Sequence, residues 1–556
     1  MWRWAPLVAL VGACASTGDG PRPPSDASAV RDAAAGTADA RADAGAPWTG
    51  PGADPRVWRP RVIYLTIPDR FANGDPHNDD AGAADCFDPN SPTLFHGGDL
   101  AGLRAHVGYL HELGVGALWM TPLVRQAPRR YDSCGYHGYW ADLADPADPI
   151  AQSVEAKLGS AVDLDRLLAD LHGADVRVLL DVVVNHVARN ARLAAQEPGW
   201  FHDANGCANL GPADQFCSLN GLPDLAQENP AVAAYITATT TEWLDRYAFD
   251  GVRMDTAKHV PLDYFADSWM PAARAKAAHP FVVAEVFSDM AMDRFAPYLE
   301  AGFDSFFHFP LRRALVDSIG KGGSLNELAG VVQETVDSLG LARALMVTTF
   351  LDNHDLPRFM QEAGELPDGE RVRRYRLALV ALFTLPGIPQ LYYGDELGML
   401  GNYPDNRRDM PAWAFDAVTR AGAHEGYLGD PAETFALTRS LIALRRQHPA
   451  LHDGYYSELW RPNSGVNLYA FYRAAGGDRA LVVIDNGTGD SGNIDLHFAT
   501  NPGITAADRA AWPDGTVLRD VLGLGAPATV TVSGGTIRVA MPSRTAGIYL
   551  PVAGAR

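Results

Sequence analysis

The sequence predicts an α/β protein: a (β/α)8 TIM barrel with a small domain inserted after the third strand and a C-terminal antiparallel β-sandwich domain. Between about residues 57 and 430, short apolar runs alternate with amphipathic stretches, a pattern typical of parallel strands joined by crossover helices. Eight apolar runs favour a closed barrel, whose functional groups lie at the carboxyl ends of the strands. The predicted strands are 62–67, 117–121, 177–184, 251–255, 281–286, 303–309, 345–352 and 389–393.

Changes in composition divide the chain further. Residues 187–232 follow the third predicted strand and are too long and too rich in Gly and Asn for a simple loop, so we expect an inserted domain. The barrel is therefore predicted in two parts, 56–186 and 233–454. Residues 455–556 alternate Val, Leu, Tyr and Thr with Gly and Asn turns, which predicts the antiparallel domain.

The N-terminus is predicted to be a targeting segment. Residues 1–14 carry Arg3, an apolar stretch and small residues before Cys14, and they resemble a bacterial lipoprotein signal with the lipobox "VGAC". Cys14 would then carry a lipid anchor on an exported protein that faces the periplasm or the cell surface. An ordinary cleaved signal, giving a secreted protein, is the alternative. Residues 15–55 are rich in Ala, Asp, Gly, Pro and Ser and predict a disordered tether.

Length and charge narrow the classes of function. A chain of 556 residues with 47% hydrophobic content can bury a sizeable core. The formal net charge of −21 argues against a nucleic-acid partner, because phosphates would be repelled. Beyond the N-terminus, no apolar run approaches the roughly 20 residues of a transmembrane helix. The sequence does not indicate an oligomeric state.

Four cysteines remain beside Cys14, an even number in a chain that is predicted to be exported. Two disulfides are therefore expected. Cys207 and Cys217 would close a short loop, which leaves Cys86 with Cys134, although the sequence does not fix the pairing. Four free thiols are the alternative.

Three acidic residues stand where apolar strands give way to polar residues. Asp255 lies in "GVRMDT", Glu285 in "VVAEVF", and Asp355 ends "TTFLDNHD". Since the carboxyl ends of barrel strands meet at one face, the three carboxylates should converge. Cleavage of a sugar acetal needs a proton for the leaving oxygen and negative charge beside the developing oxocarbenium carbon. The acids therefore point to the breaking of glycosidic bonds.

The residues around these acids suggest how two carboxyl groups could differ in charge. Arg253 stands two residues before Asp255 on one strand face, so its charge would keep that carboxylate ionised. Glu285 has no cation beside it in the sequence, so burial could hold it protonated. A buried structural ion pair is the alternative for Arg253 and Asp255. In a retaining mechanism the two carboxyl groups should lie about 5 to 5.5 Å apart.

Five motifs stand in order along the chain: "DVVVNH" (181–186), "LPDL" (222–225), "GVRMDTAKH" (251–259), "EVF" (285–287) and "FLDNHD" (350–355). With them, residues 57–552 resemble the α-amylase family, glycoside hydrolase family 13. The resemblance implies that Asp255 is the nucleophile, Glu285 the general acid/base and Asp355 the transition-state stabiliser.

The resemblance also implies a set of substrate-binding residues. Arg253 would orient Asp255, and "YHGYW" (136–140) would supply an aromatic face for a sugar ring. Lys258 and His259 would lie on the leaving-group side of the cleft. The implied substrate-binding residues are His137, Tyr139, Trp140, His186, Arg253, Lys258, His259 and His354.

Two Ca²⁺ sites are implied by the same resemblance. The first would join the inserted domain to the barrel through the side chains of Asn185 and Asp224 and the backbone carbonyl of His259, a mixture of oxygen ligands that suits calcium. The second resembles the calcium loop of cyclodextrin glycosyltransferases, and a solvated acidic turn is its alternative. Its predicted ligands are Asn73, Asp75, Asn78, Asp79, Gly97 and Asp99.

The expected activity is that of an endo-acting α-amylase on starch and maltooligosaccharides. Cyclodextrin glycosyltransferases continue into further β domains and carry an aromatic residue where Asn220 stands here. The segments "YYGDELGM" and "DNRRDMPAW" are similar to cyclomaltodextrinases and neopullulanases, which carry an N-terminal β domain and usually another motif in place of "LPDL". A non-catalytic, surface glycan-binding lipoprotein would be expected to lack one or more of the three acids.

Overall fold

The computed structural model describes residues 54–82, 84–144, 153–202, 214–276, 279–288, 292–462 and 465–552. Eight parallel strands pair in the order β6, β5, β4, β3, β2, β1, β8, β7, and a parallel bridge between Phe307 and Thr348 closes the barrel between β6 and β7. The predicted TIM barrel is thus confirmed. Its strands are β1 Ile63–Thr66, β2 Ala117–Met120, β3 Arg177–Val182, β4 Gly251–Met254, β5 Phe281–Ala284, β6 Ser305–Phe306, β7 Thr348–Phe350 and β8 Ile388–Tyr392.

The barrel strands are apolar because both of their faces are covered. Seven of the eight strands are buried at every residue, and β3 is buried after its first residue, as expected for parallel strands between a packed interior and outer helices. β6 is shorter than the predicted 303–309. His308 ends it by capping the next helix, since its side chain accepts a hydrogen bond from the Leu311 N–H at 3.2 Å.

Helices surround the barrel and connect its strands. The longest are the crossover helices before β4, before β7 and before β8, together with the helix that leads into the C-terminal domain. The α-helices are α1 Leu100–Ala105, α2 Val107–Leu113, α3 Ala161–Gly173, α4 Arg192–Gln196, α5 Pro230–Arg246, α6 Leu262–Tyr264, α7 Met270–Arg274, α8 Ala296–Glu300, α9 Phe309–Leu315, α10 Leu325–Leu339, α11 Leu341–Ala344, α12 Phe359–Glu362, α13 Asp368–Thr384, α14 Pro431–Gln447, α15 Pro449–His452 and α16 Ala506–Ala511.

The segment between β3 and α5 corresponds to the predicted insertion. It contains α4 and two short 3-10 helices, Pro198–Trp200 and Leu219–Gly221, while residues 203–213 lie outside the described ranges. Its far end returns to β3, because Leu225 N–H donates to the Asn185 carbonyl at 2.8 Å. This return places the "LPDL" motif against the carboxyl end of β3.

The cysteines follow the expectation as far as the structure describes them. Cys86 and Cys134 form a disulfide that links the loops after β1 and β2. Cys217 is disulfide-bonded as well, and its expected partner Cys207 lies outside the described residues. The predicted lipobox with Cys14 and the tether up to residue 53 also lie outside them.

The C-terminal domain is antiparallel, as predicted. Its eight strands pair in the order β12, β15, β14, β13, β16, β11, β10, β9. Side chains of β12, at one end of this order, and of β9 and β10, at the other end, pack into the same apolar core. The strands are β9 Tyr455–Trp460, β10 Leu468–Ala475, β11 Asp478–Asp485, β12 Ile494–Leu496, β13 Val517–Asp520, β14 Thr529–Ser533, β15 Thr536–Val539 and β16 Thr545–Pro551.

A buried arginine joins this domain to the barrel. Arg473 on β10 donates to the Thr384 carbonyl at the end of α13, at 2.7 Å. A second buried arginine, Arg445 on α14, lies within the barrel, where it donates to the carbonyls of Arg59 and Leu451, both at 2.9 Å. Within the described ranges, no helix combines the length and apolarity needed to cross a bilayer.

Candidate active site

The first two predicted acids meet at one buried arginine. Arg253, on β4, is fully buried, and its Nη1 donates to Asp255 Oδ1 at 2.6 Å. Its Nη2 lies 2.5 Å from Oε1 of Glu285, which follows β5. Asp181 on β3 accepts from the same Nη1 at 3.0 Å. Three neighbouring strands thus bring three carboxyl groups around one guanidinium.

Glu285 is held in a protonated state by its surroundings. The side chain is 7% exposed, and burial is the largest cause that raises its pKa, to about 8. The Arg253 charge lowers that pKa and the nearby Asp255 raises it again. At neutral pH a proton therefore remains on Glu285, as a general acid requires.

Asp355 has a different environment. Partial burial raises its pKa, but the neighbouring His354 and the charges of Arg407 and Arg253 more than offset this, so the pKa lies below its ordinary value. His354 Nε2 lies 3.1 Å from Oδ2, and Arg407 Nη2 donates to Oδ1 at 2.9 Å. Asp355 is therefore ionised at neutral pH.

Tyr139 and three of the predicted histidines, His137, His186 and His354, lie beside the acids. The Tyr139 ring stacks on His354 with centroids 5.1 Å apart and planes 3° from parallel, and its hydroxyl donates to Asp181 at 2.8 Å. Burial lowers the pKa of His354 to about 4 and also lowers the pKa values of His137 and His186. These neutral rings can exchange hydrogen bonds with hydroxyl groups without adding charge.

The remaining predicted substrate-binding residues are Trp140, Lys258 and His259. The Trp140 ring stands edge-on to His137, with centroids 4.7 Å apart. Lys258 is partly exposed, and its Nζ lies 3.8 Å from Asp214, which follows the undescribed part of the insertion. His259 Nδ1 is 2.7 Å from the Asp214 carbonyl oxygen. The insertion therefore contacts the site next to β4.

The structure adds residues to which the sequence reasoning gave no role. Asp181 accepts from the Trp119 indole N–H at 2.8 Å as well as from Tyr139 and Arg253. Asp181 begins the "DVVVNH" motif on a strand, which is a signal that could have identified it. Arg407, on the loop after β8, lies in the segment "DNRRDMPAW", but only the folded chain shows that it reaches Asp355.

The first predicted calcium site has its three oxygens in place. The carboxamide oxygen of Asn185 lies 3.2 Å from Asp224 Oδ1 and 2.9 Å from the His259 carbonyl oxygen, so it faces only acceptors. Both side chains are buried. A cation would reconcile the three oxygens, whereas without one the carboxamide can turn and donate its N–H groups to the other two. The ligand types fit Ca²⁺.

The six residues of the second predicted site also lie together. Asp99 accepts hydrogen bonds from the N–H groups of Gly74, Asp75 and Gly102 and from the Asn78 amide, at 2.6 to 3.0 Å. This carboxylate thus caps α1 and fastens the loop without a metal. The Asn78 side-chain oxygen is buried and lacks a partner, so it is the free ligand that this loop offers.

The other members of this loop crowd one point. Asn73 donates to Asp79 at 2.9 Å, and a Cβ at Gly97, whose φ is +94°, would stand 2.6 Å from both side chains. Asp75 instead accepts from the N–H of His77. Within the described ranges, no group of three His, Cys, Asp or Glu side chains is placed to hold a metal, so both predicted sites would need amide and carbonyl oxygens beside their carboxylates.

Chelation tests the first calcium site. If Asn185, Asp224 and His259 hold Ca²⁺ between the insertion and the barrel, excess chelator should lower the melting temperature and added calcium should restore it, because a ligand bound only by the native state stabilises it. Calorimetry on the calcium-loaded protein measures this shift, and Asp224→Ala should abolish the response. An unchanged melting temperature, with no calcium in the purified protein, would contradict the site.

Known proteins share this architecture. A family model described as the alpha amylase catalytic domain matches residues 64–205 and 214–454. A β/α-amylase of Paenibacillus polymyxa is 31% identical over 448 residues, covering 77% of this chain and 34% of the relative. An α-amylase of Streptomyces lividans is 28% identical over 490 residues, covering 72% of this chain and 52% of the relative.

A solved structure of an Anoxybacillus α-amylase has a TM-score of 0.74 and 29% identity and covers 89% of this chain and 98% of its own. Curated relatives also include a cyclomaltodextrin glucanotransferase of Geobacillus stearothermophilus and a cyclomaltodextrinase of Thermoanaerobacter pseudethanolicus. The chain spans between about a third and two thirds of the length of the first curated relatives it matches. The matching catalytic domain, which covers more than half of the chain, shows that this protein belongs to the α-amylase family of glycoside hydrolases.

Proposed function

We propose that the protein is a retaining, endo-acting α-amylase that cleaves α-1,4-glucosidic bonds in starch and maltooligosaccharides. The observation that carries this proposal is the shared contact of Arg253 with two carboxyl groups in different environments. Asp255 lies within 2.6 Å of the guanidinium, while burial keeps the proton on Glu285. The same arginine thus contacts both the proposed nucleophile, Asp255, and the proposed acid, Glu285.

The reaction follows from these charge states. Glu285 gives its proton to the glycosidic oxygen as the bond to the anomeric carbon breaks, and an Asp255 oxygen bonds to that carbon. Glu285, now ionised, takes a proton from water, whose oxygen replaces Asp255 at the anomeric carbon. Asp355 lies close enough to His354 to act with it on the hydroxyls of the same sugar.

Exposed aromatic side chains support a polymeric substrate. Tyr131, Phe287 and Tyr403 are the exposed large aromatic side chains of the described ranges, and they lie on loops that follow β2, β5 and β8. All three loops start at the face that carries the acids. Rings at this face can stack on sugars away from the cleavage point, which favours binding within a chain over binding at its end.

Asn220, two positions before the "LPDL" motif, separates hydrolysis from cyclisation. Cyclodextrin glycosyltransferases carry an aromatic residue there, whereas Asn220 is exposed and adopts φ 51° and ψ 27°. Asn accepts this left-handed conformation more readily than an aromatic residue does. A small polar side chain offers a glucan nothing to wrap around, so linear chains should leave the site.

A cyclomaltodextrinase or neopullulanase activity, or glucan transglycosylation, is the second candidate. The segments "YYGDELGM" and "DNRRDMPAW" and the cyclomaltodextrinase relatives favour it. A glycan-binding protein without catalysis is disfavoured by the three acids that the barrel brings to one face. The profile of products from several glucans therefore decides among hydrolases of this family.

The proposal also includes two bound Ca²⁺ ions and attachment to a membrane. Ca²⁺ at Asn185, Asp224 and the His259 carbonyl would fix the insertion against the barrel next to Lys258, and the Asn78 loop would hold a second ion. We also propose that the protein is exported and carries a lipid anchor at Cys14, for which the support is the lipobox sequence.

Removal of either central carboxyl group should abolish turnover. Asp255→Asn and Glu285→Gln should each lower kcat on soluble starch by several orders of magnitude, because both groups act in one covalent cycle. Reducing-end release measures the rate, and melting temperatures check the fold. Asp267→Asn, which removes an exposed carboxylate on another segment, is the matched control. Near-normal hydrolysis by either variant would refute the assigned roles.

The pH profile should have an alkaline limb set by Glu285. Its pKa is raised to about 8, so the proton that the reaction needs is present below this pH and lost above it. We expect kcat/KM to fall as the pH rises through about 8, measured with short maltooligosaccharides where the protein stays folded. A profile that is flat up to pH 10 would be incompatible with this general acid.

The product profile tests the proposed activity itself. Soluble starch should yield mainly linear maltooligosaccharides of mixed length from the earliest times, because an endo-acting site cuts within chains and Asn220 gives no support to a cyclic product. Chromatography of products from starch, pullulan and cyclodextrins measures this. Cyclodextrins as main products from starch would make the chain a transferase, and a preference for cyclodextrins as substrates would favour the second candidate.

A further inference from the structure

Thr256, directly after Asp255, has an unusual backbone conformation. Its φ is 46° and its ψ is 33°, in the left-handed region that β-branched residues avoid. Within the described ranges it is the only β-branched residue among the non-glycine residues with positive φ. Such strain persists where the surrounding structure demands it, and it clusters at functional sites.

The strained conformation directs two hydrogen-bond donors at two carboxyl groups. The Thr256 backbone N–H donates to Glu285 Oε2 at 3.0 Å. Its hydroxyl donates to Asp255 Oδ2, also at 3.0 Å. The other oxygens of the same carboxyl groups, Asp255 Oδ1 and Glu285 Oε1, face Arg253. Both carboxyl groups are thus held on one side by Arg253 and on the other by Thr256.

The turn alone does not explain the threonine. Glycine adopts the left-handed region without strain and would serve the turn as well. The Thr256 side chain does not cap the short 3-10 helix Ala257–His259 that follows. The hydroxyl instead meets the carboxylate that the mechanism assigns as nucleophile, so the choice of threonine follows from the site.

We propose that Thr256 is a positioning residue that fixes Asp255 and Glu285 relative to each other throughout the reaction. This inference rests on the proposed glycosidase function. Negative charge sits on Asp255 before the attack and on Glu285 after it has protonated the leaving oxygen. Because Thr256 donates to both, one residue stabilises the charge at each stage and keeps the two oxygens facing the same anomeric carbon.

Three substitutions test this role. Thr256→Val keeps the branched shape and loses the hydroxyl, while Thr256→Ser keeps the hydroxyl and loses the methyl group. Thr256→Ala provides a second variant without the hydroxyl if valine disturbs the fold. For each, kcat and KM on soluble starch are measured at neutral pH, together with the melting temperature.

The hydroxyl should control turnover rather than binding. We expect Thr256→Val and Thr256→Ala to lower kcat about tenfold or more, as for the loss of a hydrogen bond to a charged group, with KM changed less than about twofold. Thr256→Ser should keep most of the wild-type kcat, because it retains the hydroxyl. The melting temperatures of the three variants should not rank in the same order as their kcat values.

Other outcomes would overturn the inference. Equal kcat values for the Val and Ser variants, or a loss that falls on KM alone, would show that the hydroxyl does not position the nucleophile. An inactive wild type would refute the proposed function and this inference with it. An active wild type matched by Thr256→Val would refute this inference alone.

Discussion

The site depends on one fully buried guanidinium. Arg253 contacts Asp181, Asp255 and Glu285 within 3.0 Å, so a single positive charge faces three carboxyl groups. Isolated buried charges are costly, and three negative charges cannot share one cation without a proton among them. Burial raises the pKa of Asp181 to about 7 and that of Glu285 to about 8. The protonation state that an acid catalyst needs is therefore a consequence of packing.

The barrel makes this arrangement possible through its register. Asp181 on β3 pairs directly with Arg253 on β4, and Arg253 pairs with Val283 on β5, two residues before Glu285. Parallel strands that end at one level place their following residues together. These strands are buried and hydrogen-bonded to their neighbours, which fixes the spacing of the residues that follow them. Fold and site are thus linked by a few aligned residues.

Much of this could be predicted from the sequence. Runs of apolar residues predicted the eight strands, and the positions of Asp255, Glu285 and Asp355 after three of them predicted that these acids lie at one end of the barrel, because strand ends are local features. The length of β6 could not be predicted, since a helix cap at His308 ends it. Arg407 was missed because its contact with Asp355 joins residues that are 52 positions apart.

The same strand ends serve two purposes. Asn185 stands beside His186 after β3, and the His259 carbonyl belongs to the turn that begins with Thr256 after β4. The oxygens of the predicted calcium site and the groups around Asp255, the proposed nucleophile, are therefore parts of the same two loops. The insertion is hydrogen-bonded to both loops, through Leu225 to the Asn185 carbonyl and through the Asp214 carbonyl to His259. The position of Asp255 and the attachment of the insertion to the barrel therefore depend on the same two loops.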